Sequence, residues 1–170
     1  MNYVGIDLHK EQSWFYVMDN TGKRISSKSI SNEIKVLKEY FETIPRPFKL
    51  AVESTYNWYF FVDLAELYAE EVFLANSYEL KAFAKRNKKT DKIDAKLIAD
   101  VLRKGYLPTV YISAKQTRAS KESLRYRMNL VKDRSKVIFR LKALLDKLGL
   151  QASGDFTTDK ALNNLSLIHI

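Results

Sequence analysis

The chain of 170 residues carries 29 Lys/Arg against 20 Asp/Glu, a net charge of +9, with 46% hydrophobic and 12% aromatic residues. That balance excludes a disordered chain and allows one domain with a core, or one domain plus an extension. The lack of cysteine excludes a disulfide framework and thiolate metal sites, and no apolar run approaches the ~20 residues of a membrane span.

Met1 leads directly into "NYVGID", with no basic n-region or apolar h-region, so no secretory signal is read and a cytoplasmic address is expected. "YVGIDLH" (3–9) and "SWFYVMD" (13–19) read as strands; "NTG" (20–22) is a tight turn, and "KRISSKSI" (23–30) alternates weakly as a third strand. Together they predict an antiparallel meander. "SNEIKVLKEYFETI" predicts a helix capped by Ser31 or Asn32, with Ile34, Leu37, Tyr40, Phe41 and Ile44 at helical spacing, and "PRP" (45–47) stops it.

"FKLAVES" (48–54) follows as a buried strand. "NWYFFVDLAELYAE" is an apolar helix with Trp58, Phe61, Leu64, Ala65 and Tyr68 on one face. "EVFLA" (71–75) lacks alternation, which suits a parallel strand covered on both faces. "SYELKAFAK" is a short helix, "RNKKT" a basic loop, and "DKIDAKLIADVLRKG" a helix ending at Gly105. The order β-β-β-α-β-α-β-α-α predicts an α/β mixed sheet with helices on its faces, an order that a ribonuclease H-like fold shares.

From Thr117 to Leu148 there is no Gly or Pro. One apolar stripe runs through Leu124, Met128, Val131, Ile138 and Leu145, a second through Leu130, Val137, Leu141, Leu144 and Leu148, with basic residues over most of the remaining surface. A helix of about 30 residues is expected, longer than an ordinary globular helix. Ser135 and Lys142 interrupt the heptad, so coiled-coil pairing and packing within a second domain both stay open.

Charge is unevenly spread. Residues 1–80 carry 8 Lys/Arg against 12 Asp/Glu, residues 81–147 carry 20 against 6, and the last 23 carry one against two. A segment with a balance of +14 is the footprint of a polyanionic partner. Lys10, Lys85, Arg86, Lys88, Lys89, Lys92, Arg125, Arg127, Arg134 and Arg140 are the candidate nucleic-acid contacts.

Against this basic background stand four acids. Asp7 lies inside the first strand and Glu53 at the end of the fourth, where carboxylates are rare because burying one without a partner is costly. Asp91 and Asp94, at i and i+3, open the last short helix and share a face. Four hard oxygen donors with no Cys suit Mg²⁺ or Mn²⁺, and two such ions are standard apparatus for phosphodiester chemistry. Local roles compete for each acid: Asp7 and Glu53 as caps, Asp91 as the N-cap of its helix, Asp94 as a first-turn acid matching the dipole. His9 and His169 read as lone structural histidines, and the "YNWYFF" cluster as core whose exposed members could stack on bases.

"YVGIDLHK", "AVESTYNWYF", "LANSYELKAFAKRNKKTDKIDAKLIAD" and "LRYRMNLVKDRSKVIFRLKALL" resemble the amino-terminal half of the DEDD transposases of insertion-sequence family 110, over residues 2–148. The resemblance implies a RuvC-like domain of the ribonuclease H fold over residues 1–112, a basic coiled-coil linker over 113–150, and a tail over 151–170. It implies two divalent metals held by Asp7, Glu53, Asp91 and Asp94, dimerisation through the basic helix, a structured guide RNA, and strand exchange between element ends and target DNA. The family's glutamate motif reads Glu-x-Thr-Gly-x-Tyr; here Thr55 is followed by Tyr56 and Asn57, so a different local turn is expected.

The resemblance also implies a later domain whose serine attacks DNA, so the chain is expected to be an amino-terminal fragment. "LSLIHI" (165–170) is what a transposon-end sequencing adaptor encodes, and an assembly artefact is expected there. Two other classes stay open: a self-contained nuclease of the Holliday-junction resolvase kind, and a non-catalytic nucleic-acid-binding dimerisation module. An actin or sugar-kinase fold shares Gly-Ile-Asp-Leu, but His9 and Lys10 stand where its phosphate hairpin needs glycine and threonine.

Overall fold

The computed structural model describes residues 1–83 and 90–149. It divides into two compact units, Met1–Ile112 and a second that begins at Ser113.

Among its described residues the first unit has six strands: β1 (Asn2–Leu8), β2 (Gln12–Met18), β3 (Arg24–Ser31), β4 (Phe48–Glu53), β5 (Glu71–Ala75) and β6 (Thr109–Val110). Their order in the sheet is β3-β2-β1-β4-β5-β6. The meander is antiparallel, β1, β4 and β5 are parallel, and β6 returns antiparallel to β5. The helices of this unit are α1 (Ile34–Thr43), α2 (Trp58–Ala65), α3 (Ser77–Leu80) and α4 (Asp91–Arg103). This is the ribonuclease H-like arrangement expected from the element order.

Alternation along the strands divides the sheet into two faces. Val4, Ile6 and Leu8 of β1 join Phe15, Val17, Phe48, Leu50, Val52 and Leu74 on one face. α1 and α2 cover it with Leu37, Phe41, Phe61, Val62, Leu64 and Ala65. Phe15, Phe41 and Phe61 meet ring to ring, with centroids 5.8–5.9 Å apart. Each such fully buried side chain contributes roughly 1.5–3 kcal/mol. The opposite face carries Tyr3, Gly5 and Asp7 of β1, Trp14, Tyr16 and Met18 of β2, and Ala51 of β4. There α4 packs with Ala95, Ile98, Ala99 and Leu102.

Several expectations are corrected. α1 begins at Ile34 with Glu33 as N-cap and no side-chain cap, because Asn32 is engaged with the turn after β1. Ile34 is exposed rather than core. α2 ends at Ala65, short of the stretch that periodicity suggested, and α3 is a single turn. β6 was not expected: two exposed residues after a proline carry no strand pattern, yet they pair with Ala75 and Leu74. α4 ends as expected, with Gly105 at φ +75° and Tyr106 N–H donating back to the Val101 carbonyl at 3.1 Å.

In the second unit the described residues form one helix of 33 residues, α5 (Lys115–Lys147). Its start is held by Arg118, whose Nε donates to the Ser113 carbonyl at 2.7 Å, and by Lys121, whose Nζ donates to Ser113 Oγ at 2.6 Å. Arg118 is buried, not part of the exposed basic surface. Leu124, Met128, Leu130, Val131, Val137 and Leu144 are all exposed. No helix among the described residues is long and apolar enough to cross a membrane.

Candidate metal centre

The carboxyl end of β1 sets the site. Alternation places Asp7 two residues beyond Gly5, on the face that α4 covers, while Leu8 turns into the opposite core. Asp7 lies opposite Trp14 of β2 and is only 5% exposed. Glu53 ends β4 one step past the Ile6–Val52 pair, which brings it level with Asp7 on the neighbouring parallel strand. Asp91 and Asp94 occupy the first turn of α4. The N-cap of that helix is Thr90, whose Oγ1 accepts from Ile93 N–H, so the Asp91 carboxylate is not the cap.

A pocket of about 310 Å³ is lined by Asp7, Glu53, Asp91 and Asp94 together with Leu8, His9, Thr55 and Thr90. Three elements far apart in sequence thus bring all four acids to one cleft. Burial pushes the Asp7 carboxyl up to about 6. His9 opposes that shift, and the negative fields of Glu53, Asp91 and Asp94 add to it. Like-charged groups gathered around a buried acid are unfavourable unless a cation joins them, so the donor set fits a hard divalent ion.

His9, read from sequence as an isolated histidine, belongs to the cluster. Its Nε2 lies 3.2 Å from Asp7 Oδ2 and 3.5 Å from Asp91 Oδ1. One ligand atom from each of Asp7, His9 and Asp91 lies within 4.8 Å of the others. The signal was present in "DLH": the alternation of β1, continued one residue past its end at Leu8, carries residue 9 to the side of residue 7.

The turn that carries His9 is tied from two sides. Asn57 Nδ2 and Asn32 Nδ2 each donate to the His9 carbonyl at 2.8 Å. Asn32 also donates to the Lys10 carbonyl at 3.3 Å and accepts from the fully buried Ser13 Oγ at 2.6 Å. Thr55 Oγ1 donates to Asn57 Oδ1 at 2.8 Å. The local turn that the Tyr56–Asn57 departure made expected is therefore a brace between the β4–α2 and β1–β2 connections.

Of the candidate nucleic-acid contacts, Lys10 is exposed and lines two clefts of about 650 and 600 Å³ beside the site. Lys92 is exposed on the first turn of α4. Arg125, Arg127, Arg134 and Arg140 are exposed along α5, Arg125 paired with Glu122. Lys85, Arg86, Lys88 and Lys89 lie outside the described residues, as do His169 and the stretch 150–170. Tyr56 is 79% exposed, while Phe61 of the same aromatic cluster is core.

A family model of transposases, the DEDD type of insertion-sequence family 110, matches residues 4–149. No curated protein matches the chain.

Proposed function

The chain belongs to the DEDD transposases of insertion-sequence family 110, and on that premise we propose that Asp7, Glu53, Asp91 and Asp94 hold two divalent cations, Mg²⁺ or Mn²⁺, for phosphodiester strand exchange on DNA. The observation that carries this reading is the convergence of the four carboxylates on one pocket. Such ions supply activation of the attacking oxygen and stabilisation of the leaving one. The chain's own residues hold and orient: Asp7 from the sheet interior, Glu53 from the adjacent strand, Asp91 and Asp94 from a capped helix start.

Residues 1–112 are then the metal-binding domain and 113–150 a basic linker. Lys10 and Lys92 offset the repulsion between an acidic pocket and a phosphate backbone, and the arginines of α5 serve structured guide RNA. The exposed members of the α5 stripes, Leu124, Met128, Leu130, Val131, Val137 and Leu144, support pairing with a second copy, whereas Leu145 is buried.

The test is thermal unfolding of the purified chain with and without Mn²⁺ or Mg²⁺. A rise in Tm that Asp7→Asn and Asp91→Asn abolish is expected. An unchanged Tm in the parent chain would overturn the metal reading and leave a non-catalytic nucleic-acid-binding module. Metal-dependent cleavage of branched DNA by this chain alone would favour a self-contained nuclease instead.

A further inference from the structure

We propose that His9 is a direct ligand at the cation position between Asp7 and Asp91, and that its nitrogen makes this position select Mn²⁺ over Mg²⁺. The inference rests on the reading that the four acids hold cations, and it assigns to one position a mixed nitrogen and oxygen donor set.

The His9–Asp7 contact is a hydrogen bond in the structure, and its length, like that of the Asp91 contact, also suits two ligands of one ion. Octahedral donors at ~2.1 Å from a metal stand ~3.0 Å apart along each edge of the polyhedron. The His9 Nε2 contacts of 3.2 Å to Asp7 Oδ2 and 3.5 Å to Asp91 Oδ1 are close to that edge. Little movement would therefore separate the present cluster from a coordinated one.

Imidazole placement does not depend on the carboxylates alone. The Asn57 and Asn32 amides grip the His9 carbonyl from opposite connections, so the backbone that presents the ring is fixed by groups outside the pocket. Leu8, 1% exposed in the opposite core, anchors the residue just before it. A ring held this way is organised in advance for a ligand role.

The choice of ion follows from donor chemistry. Mg²⁺ is a hard cation that takes carboxylate, carbonyl and water oxygens and dehydrates reluctantly, whereas imidazole is a softer donor best suited to Zn²⁺, Cu²⁺, Fe²⁺ and Ni²⁺; Mn²⁺ shares the oxygen preference of Mg²⁺ but, as a transition metal, binds imidazole more readily than Mg²⁺ does. Mn²⁺ accepts both classes. Glu53 and Asp94, on the same pocket, offer oxygen only and leave the second position open to either ion.

The experiment uses the full chain, titrated separately with Mn²⁺ and Mg²⁺ by calorimetry, with pulsed electron paramagnetic resonance of bound Mn²⁺ to detect coupling to nitrogen. Parent protein should show nitrogen coupling and tighter Mn²⁺ than Mg²⁺ binding. His9→Ala and His9→Gln should lose the coupling and weaken Mn²⁺ by at least about tenfold, the loss that even an outer partner of a ligand causes, with Mg²⁺ little changed. His9 is 52% exposed, so both variants should fold, as circular dichroism would verify.

Absence of nitrogen coupling in the parent, or equal loss of both ions in the variants, would overturn the inference while leaving the carboxylate site standing. Asp7→Asn separates the two levels: it should lose both ions. Unaltered binding of both ions there would overturn the carboxylate site and the His9 assignment together.

Discussion

Gly5 of β1 and Ala95 of α4 meet backbone to backbone: a Cβ at Gly5 would stand 2.2 Å from the Ala95 carbonyl oxygen and 2.4 Å from the Ala99 nitrogen. Neither atom belongs to a side chain that could swing away. This contact sets how closely the helix lies on the sheet. Asp7 is two residues further along the strand, and Asp91 and Asp94 are on the turn just before Ala95. Gly5→Ala should therefore push the first turn of α4 away from Asp7. Overpacking costs typically 1–3 kcal/mol, and the rigid neighbours here put the expected loss at the upper end. Urea denaturation should register it, and the stabilisation by Mn²⁺ should shrink in parallel. Full metal stabilisation in a destabilised Gly5→Ala protein would show that the helix position is set elsewhere.

Asp7 should make the metal-free protein less stable as pH rises. Its carboxyl holds a proton up to about 6 in the fold, against an ordinary value of 3.8. Between those values the folded state binds more protons than the unfolded one, so stability falls as pH passes from 3.8 through 6. The loss is complete above that window and amounts to ~2–3 kcal/mol for a shift of this size. Asp7→Asn cannot ionise. In chelator at pH 7.5 it should be the more stable protein, and the two curves should converge near pH 4, within this window. With Mn²⁺ present the order should reverse. A pH-independent difference between the two proteins would mean that the fold does not raise the Asp7 carboxyl.

Two acids stood out because each broke a local rule, a carboxylate inside an apolar strand and another at a strand end; Asp91 and Asp94 fit ordinary helix-start roles and gained meaning only beside Asp7 and Glu53. The first five strands were legible as short apolar or weakly alternating runs between turn signals, β5 by its very lack of alternation, and the end of α4 from Gly105. What sequence could not give was partnership across distance. Asn32 looked like a helix cap because capping is read from near neighbours, whereas its bonds run back to His9 and Lys10, 23 and 22 residues away. Asn57 reaches 48 residues back to the same carbonyl. His9 seemed solitary for the same reason: its second acidic neighbour, Asp91, comes from another element. β6 has only two residues and exists through its pairing with β5.

Those two asparagines should differ in what they cost. Asn32→Ala strands Ser13 Oγ, which is fully buried and donates to Asn32 Oδ1, so about 1–3 kcal/mol should be lost. Asn57→Ala removes an exposed bond to the His9 carbonyl and a part-buried one from Thr55 Oγ1, a hydroxyl that is not itself buried, and should cost about 1 kcal/mol. Both should loosen the turn and weaken Mn²⁺ binding, with the stability ranking measured by chemical denaturation. An Asn57 variant more costly than the Asn32 variant would place the main brace on the β4–α2 side.

The stripes of α5 should respond to salt in a direction opposite to nucleic-acid binding. The helix spans 33 residues, about 50 Å at 1.5 Å per residue, and carries 11 Lys/Arg against 3 Asp/Glu. Two copies laid side by side would repel through that charge while burying Met128, Val131 and their neighbours, now 57% and 43% exposed. Raising salt screens the repulsion and leaves apolar burial intact, so self-association should strengthen. Binding to structured RNA releases counterions and should weaken steeply over the same range. Sedimentation at rising salt should therefore show more dimer while RNA affinity falls. Met128→Glu combined with Val131→Glu should leave a monomer at every salt concentration, with RNA binding reduced only modestly because the arginines remain. A parent chain that stays monomeric at high salt would mean that the stripes do not pair two copies.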